Sequence, residues 1–207
     1  MVSPYWATIT EPWFNNGVAR PKTITDERLL AAAAEVIGRK GPGFTVADVA
    51  ERAGVSVGTV AGRFGSKSGL LQALTRQTMD ENVRRMHEAA AAADDPADGL
   101  RAALLTWFEG VVDPAEAQNH LAQLGVDLID PELRALLAEL YAATERTVVE
   151  LTRPVDLPRG PSPERAARVL TGLLYGVSMD WSVRPRGELA DRLAQDVDAV
   201  LDAWKGR

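Results

Sequence analysis

Between Thr45 and Leu71 the chain reads TVADVAERAGVSVGTVAGRFGSKSGLL, and few folds accommodate this stretch. Thr45 is a good helix N-cap. Asp48, three positions on, can complete a capping box while its charge suits the positive end of the helix. Val46, Val49, Ala50 and Ala53 then recur on one side, which predicts a helix over about 46–53. Gly54 stands where a helix ending in a tight turn commonly needs positive φ. Ser56 caps a second short helix in which Val60 and Phe64, four apart, must face inward. Val57, Gly58, Thr59 and Arg63 are left on the outer, N-terminal side. Two short helices joined by a tight turn, with a third starting at Ser66, form a helix-turn-helix, a layout that puts its second helix into a DNA major groove.

The run Ala53-Gly54-Val55-Ser56, Gly58-Thr59, Phe64 and Ser66-Lys67 resembles the signature of the tetracycline-repressor (TetR) family of transcriptional regulators. The resemblance is dense over about residues 25–75 and architectural beyond them. It implies an all-α homodimer with an N-terminal DNA-binding head and a larger effector-binding body. Carried over by position, it implies DNA contacts at Thr45, Ser56, Val57, Gly58, Thr59, Arg63 and Lys67. Lys67 would sit in the first turn of a helix, where its charge opposes the helix dipole, a conflict that a DNA phosphate would resolve. The chain departs from the family where a tyrosine and a bulky or basic residue are usual: here stand Ala61 and Gly62. That removes one phosphate contact and leaves a glycine inside the recognition helix, which costs about 1 kcal/mol of helix propensity relative to alanine.

The net charge of −6 argues against nucleic acid until its distribution is considered. Residues 20–76 carry a net +4 and residues 77–207 a net −9, so a basic head sits on an acidic body. Without cysteine there is no disulfide framework, thiolate metal site or cysteine nucleophile, and with only two histidines no metal or cofactor is expected. No apolar run is long enough to span a bilayer and no secretory signal opens the chain; a cytoplasmic location and no membrane partner are expected.

Residues 1–24 hold Tyr5, Trp6, Trp13 and Phe14 among prolines, asparagines and Gly17 without periodicity, and read as a flexible N-terminal extension or leader, the alternative being an arm whose Arg20 and Lys22 reach DNA. Thr25 caps a first helix with a stripe of Leu29, Leu30, Ala33, Val36 and Ile37. From Ser66 a long helix runs through Leu70, Leu71, Leu74, Met79 and Val83 into the alanines at 89–93. Asp95-Pro96, Asp113-Pro114, Asp130-Pro131 and Ser162-Pro163 each place a cap before a first-turn proline. They predict helices at about 96–112, 114–128, 131–152 and 163–183, with a last one near 187–204. The expected division is 25–71 for the helix-turn-helix domain and 72–207 for the effector-binding and dimerisation domain.

The last two helices are apolar, and Gly172 and Gly176, four apart, let another helix approach closely. The resemblance implies that these two helices pair with their copies, which makes Gly172, Gly176, Leu193, Val197 and Val200 the candidate dimer interface; the same stripe also reads as monomer core, but two heads are needed to read two half-sites. Trp107, Phe108, His120, Leu124, Leu128, Tyr141, Tyr175 and Trp181 are candidates for an effector pocket, each competing with a plain packing role, and His120, Asp127 or Asp180 can supply polarity. A small apolar or aromatic effector is expected. Gly54-Val55-Ser56-Val57-Gly58 matches a hydrolase nucleophile elbow, but that elbow must follow a strand, and no parallel-sheet pattern surrounds the two histidines. The expected function is a ligand-responsive regulator, a repressor bound as a dimer to a near-palindromic operator in double-stranded DNA. The competing reading is a helical protein–protein adaptor, which would show little salt-dependent affinity for DNA.

Overall fold

The computed structural model describes residues 24–206. These form α1 (Asp26–Lys40), α2 (Val46–Ala53), α3 (Val57–Phe64), α4 (Lys67–Ala91), α5 (Pro96–Leu105), α6 (Pro114–Asp127), α7 (Pro131–Thr152), α8 (Pro163–Val183) and α9 (Leu189–Lys205), with short 3-10 turns at Gly41–Gly43 and Thr106–Phe108. No strand occurs among the described residues. The expected extension with Arg20 and Lys22 lies outside them, apart from Ile24.

The caps set the boundaries. Thr45 and Asp48 form the reciprocal capping box of α2, and Asp95, Asp113, Asp130 and Ser162 each accept a first-turn N–H ahead of a proline. The fifth helix is shorter than expected, ending at Leu105 rather than near 112. Thr106 turns its hydroxyl back to the Ala103 carbonyl at 2.7 Å, and Gly110 takes φ 83°, which no helix continues through. That break carries Trp107, Phe108 and Val111 into the core.

α1, α2 and α3 pack into a head around Leu29, Phe44, Val49 and Val60. α4 passes from the head into the body without interruption, and its buried side corrects the sequence reading. After Leu70, Leu71 and Leu74 it continues as Thr75, Thr78, Asn82 and Met86, while Met79 and Val83 are only half-buried. α4 and α7 run parallel, Gln72 bonding Glu132 at one end and His87 facing Glu150 at the other. A single apolar core runs from the head into the body. α1 rests on α6, where Asn119 Nδ2 donates to the Gly38 carbonyl at 2.8 Å.

Candidate DNA interface and effector site

The turn between α2 and α3 has the geometry the sequence demands. Gly54 takes φ 71°, in the left-handed region, and the Ser56 hydroxyl accepts the Thr59 N–H at 3.1 Å to start α3. Val60 is buried and Phe64 half-buried, so α3 is held by one face. The other presents Val57, Gly58 and Arg63 to solvent, with Ser56 and Thr45 exposed beside them and Thr59 half-buried. Ser56 follows a helix and spends its hydroxyl on a cap, which is not the setting of a hydrolase nucleophile.

Arg63 is not idle in the free protein. Its guanidinium pairs with Asp26 at the start of α1 and reaches the Ile24 carbonyl. An exposed pair of this kind is worth about 1 kcal/mol or less, so a base edge or phosphate can compete for the arginine. Lys67 departs from the sequence reading. Its ammonium turns into the head, donating to the Pro42 and Phe44 carbonyls at 2.7 Å each and lying 4.0 Å from the Phe44 ring centroid. The conflict with the helix dipole is thus answered inside the protomer, and burial lowers the lysine pKa. Lys67 thus ties α4 to the loop before α2. Gly62 and Ala61 are exposed, and a Cβ on Gly62 would meet nothing within 4 Å.

The expected effector residues separate into four places. Trp107, Tyr175 and Tyr141 come together, with ring centroids 5.4 Å apart for the first pair and 5.2 Å for the second, tilted by 48° and 40°. The Trp107 indole N–H points to Met86 Sδ at 3.0 Å. Burial pushes the Tyr141 hydroxyl pKa up to about 12 and raises that of Tyr175 as well. Phe108 and Trp181 are buried core, Trp181 donating to the Gly187 carbonyl at 2.9 Å. His120 and Leu124 instead line a small cavity with Ile37, Leu71, Leu74, Gln123 and Asp127 at the seam between head and body; its volume of about 10 Å³ suits one water. Leu128, 43% exposed at the end of α6, is not a pocket residue, because α6 turns its other face inward.

The polar candidates also settle differently. Asp180 is committed to Arg184 and Arg192, tying α8 to α9. Asp127 lies in the seam, accepts from Gln123 Nε2 at 2.7 Å and has its carboxyl pushed up to about 6 by burial. His120 beside it is driven down to about 3 by the same cause and is neutral. The sequence reading missed Asn82, Met86 and Asn119. Asn82 sits four residues from Thr78 and from Met86, and that shared register was its only signal.

On α8, Gly172 and Gly176 are exposed with open space at their Cβ positions, and Val169, Met179 and Val183 extend the same face as exposed apolar side chains. Leu193 and Val197 do not belong to it. They are 1% and 0% exposed, packed in the protomer's own core, and Val200 is half-buried against that core.

Residues 29–74 match the family model for bacterial regulatory proteins, tetR family, and residues 94–205 that for the MftR C-terminal domain. The chain is 30% identical over 178 residues to the HTH-type transcriptional regulator BetI 1 of Chromohalobacter salexigens, covering 83% of this chain and 86% of that protein. It is 35% identical over 118 residues to the HTH-type transcriptional regulator BetI of Burkholderia lata, covering 56% of this chain and 61% of that protein, so this match spans less than two thirds of that relative. A crystal structure of a putative TetR-family transcriptional regulator from Rhodococcus sp. superposes with TM-score 0.67 at 27% identity, covering 85% and 97% of the two chains.

Proposed function

This chain belongs to the tetR family of bacterial regulatory proteins, and from that premise we propose that it is a dimeric repressor released from its operator by a small, largely apolar or aromatic ligand. The observation that carries the reading is the outer face of α3. Val60 and Phe64 anchor the helix, while Val57, Gly58, Thr59 and Arg63 stand toward a groove and Thr45 and Ser56 toward the flanking phosphates. Arg63 exchanges Asp26 for guanine or phosphate. The exposed glycine face of α8 supports pairing of two protomers, which sets the spacing of two heads on a near-palindromic site.

The effector site we assign to the Trp107, Tyr141 and Tyr175 cluster, which joins the turn after α5 to α7 and α8 and touches α4 through Met86. Two routes lead from there to the head: α4 itself, and α6 through Asn119 on the end of α1. A ligand that prefers the arrangement in which the heads miss their half-sites releases the operator; ordinary coupling needs a preference of about 1–3 kcal/mol.

The test is a fluorescence-anisotropy titration of the full chain against duplexes tiling the DNA upstream of its own gene, at several salt concentrations. One tile bound far more tightly than the others, with affinity falling steeply as salt rises, is expected. Uniformly weak, salt-insensitive binding would refute the reading and favour the adaptor.

A further inference from the structure

We propose that Asn82 selects the ligand of the aromatic cluster, donating a side-chain N–H to an acceptor oxygen on a neutral, flat, apolar molecule such as an aryl ketone or ester. The proposal rests on the effector site assigned above and adds the chemistry by which that site discriminates.

Asn82 is 3% exposed, and its Nδ2 has no hydrogen-bond partner among the described residues. An orphaned buried donor is costly and calls for an explanation. Neighbouring buried hydroxyls show how cheaply the interior satisfies such groups. Thr144, Thr147 and Thr152 on α7 and Ser178 and Ser182 on α8 each donate to a carbonyl of their own helix, at 2.7 to 3.1 Å. The Asn82 side-chain N–H has no such partner. Among the described residues two other buried side-chain atoms lack partners, but both are acceptors elsewhere: Gln123 Oε1 belongs to the seam cavity, and Gln77 lies five residues from Asn82 on a different side of α4.

The position of Asn82 ties it to the rings. Thr78, Asn82 and Met86 follow one another at four-residue intervals on the buried side of α4, and Met86 holds the indole of Trp107. The Gln72–Glu132 and His87–Glu150 contacts between α4 and α7 bracket Asn82 on one helix and Tyr141 and Thr144 on the other. The Trp107 N–H is spent on a thioether, a weak acceptor that an oxygen readily replaces. Asn82, one helical turn from Met86, and the Trp107 N–H, spent on its sulfur, are therefore two underused donors near rings that are tilted by 40° and 48° and not stacked. Donors beside apolar walls fit an oxygen on a flat ligand. They oppose a cation, which aromatic rings alone would attract.

The experiment compares two molecules of nearly identical shape, 4-methylacetophenone and p-cymene, with tetramethylammonium as a cationic probe. Thermal shift and tryptophan fluorescence are read on the full chain and on Asn82→Leu. The wild type should bind the ketone roughly tenfold or more tightly than the hydrocarbon. Asn82→Leu should melt at a higher temperature without ligand, because the orphaned amide is gone, and should lose the preference for the ketone. Equal binding of ketone and hydrocarbon by the wild type would overturn the role of Asn82 while leaving the aromatic site standing. An unchanged preference in Asn82→Leu would do the same. Binding of tetramethylammonium in place of the ketone would overturn the ligand class. Binding of none of the three would overturn the assignment of the site itself. The wild-type comparison decides whether or not the variant folds.

Discussion

Gly62 and Gly69 are both glycines inside helices, and the structure assigns opposite signs to the same substitution at the two. Alanine at either gains about 1 kcal/mol of helix propensity. At Gly62, on the exposed side of α3, the added methyl meets nothing within 4 Å, so Gly62→Ala should keep that gain. For a chain of 207 residues this raises the melting temperature by about 2–4 °C. At Gly69, in the first turn of α4, a Cβ would fall well inside contact distance of the Phe64 carbonyl, where the end of α3 crosses the start of α4. Relieving that overlap means parting two packed helices, at about 1–3 kcal/mol, and the net effect of Gly69→Ala should be destabilising. Thermal unfolding of both variants, followed by far-ultraviolet circular dichroism, separates the cases. A melting temperature for Gly62→Ala at or below wild type would refute the claim that this helix is limited by propensity. Equal shifts for the two variants would refute the claim that crowding at the α3–α4 corner requires glycine.

Other consequences can be measured on the same protein. Arg63→Ala should lower operator affinity by roughly ten- to a hundredfold while leaving the dimer intact by sedimentation; loss of the dimer would mean that the arginine supports the fold. Thr45→Ala removes the cap of α2 and should cost about 1 kcal/mol in denaturant unfolding, and no change would show the capping box to be idle. Gly176→Glu places a charge on the open face of α8, so it should dissociate the dimer without lowering the helical content, and a dimer of wild-type affinity would move the interface elsewhere. Asp127 has a folded pKa of about 6, above its ordinary value of 3.8, because burial disfavours the carboxylate. Its contribution is therefore full below about pH 3.8 and lost as pH rises through 6, so the stability of Asp127→Asn relative to wild type should rise between about pH 3.8 and 6 and stay level above. A stability difference independent of pH would show that Asp127 does not titrate in the seam. The groups acting on it there are Lys67, Asp130 and the amide of Gln123, with His120 also lining the cavity and titrating lower, near pH 3.

The head was legible because its signals are local. A cap, a turn glycine and an apolar pair four residues apart set α2 and α3, and four capped prolines opened the body helices. The site was less so, because tertiary partners decide it. Nothing near Lys67 in sequence foretells that Pro42 and Phe44 will take its ammonium, and Leu193 and Val197 form an apolar stripe whether they meet a partner or their own protomer. The buried side of α4 misled for a physical reason. Periodicity follows apolar residues, and past Leu74 that side is carried by Thr75, Thr78 and Asn82, so a search for hydrophobic spacing slides onto Met79 and Val83.

The seam where α1 rests on α6 bears on how such a protein can be recombined. Gly38 leaves so little room that an added Cβ would stand 3.0 Å from His120 Nε2, and its carbonyl is held by Asn119. A transplanted head therefore brings its own complement to α6, and a graft cut at the start of the body would join two surfaces selected for other mates. Chimeras that exchange DNA specificity should work when residues 114–127 travel with the head, or when only the outer positions of α3 are changed. By the same reasoning, α1 and α6 are expected to diverge together among descendants of this chain, while the outer face of α3 drifts on its own.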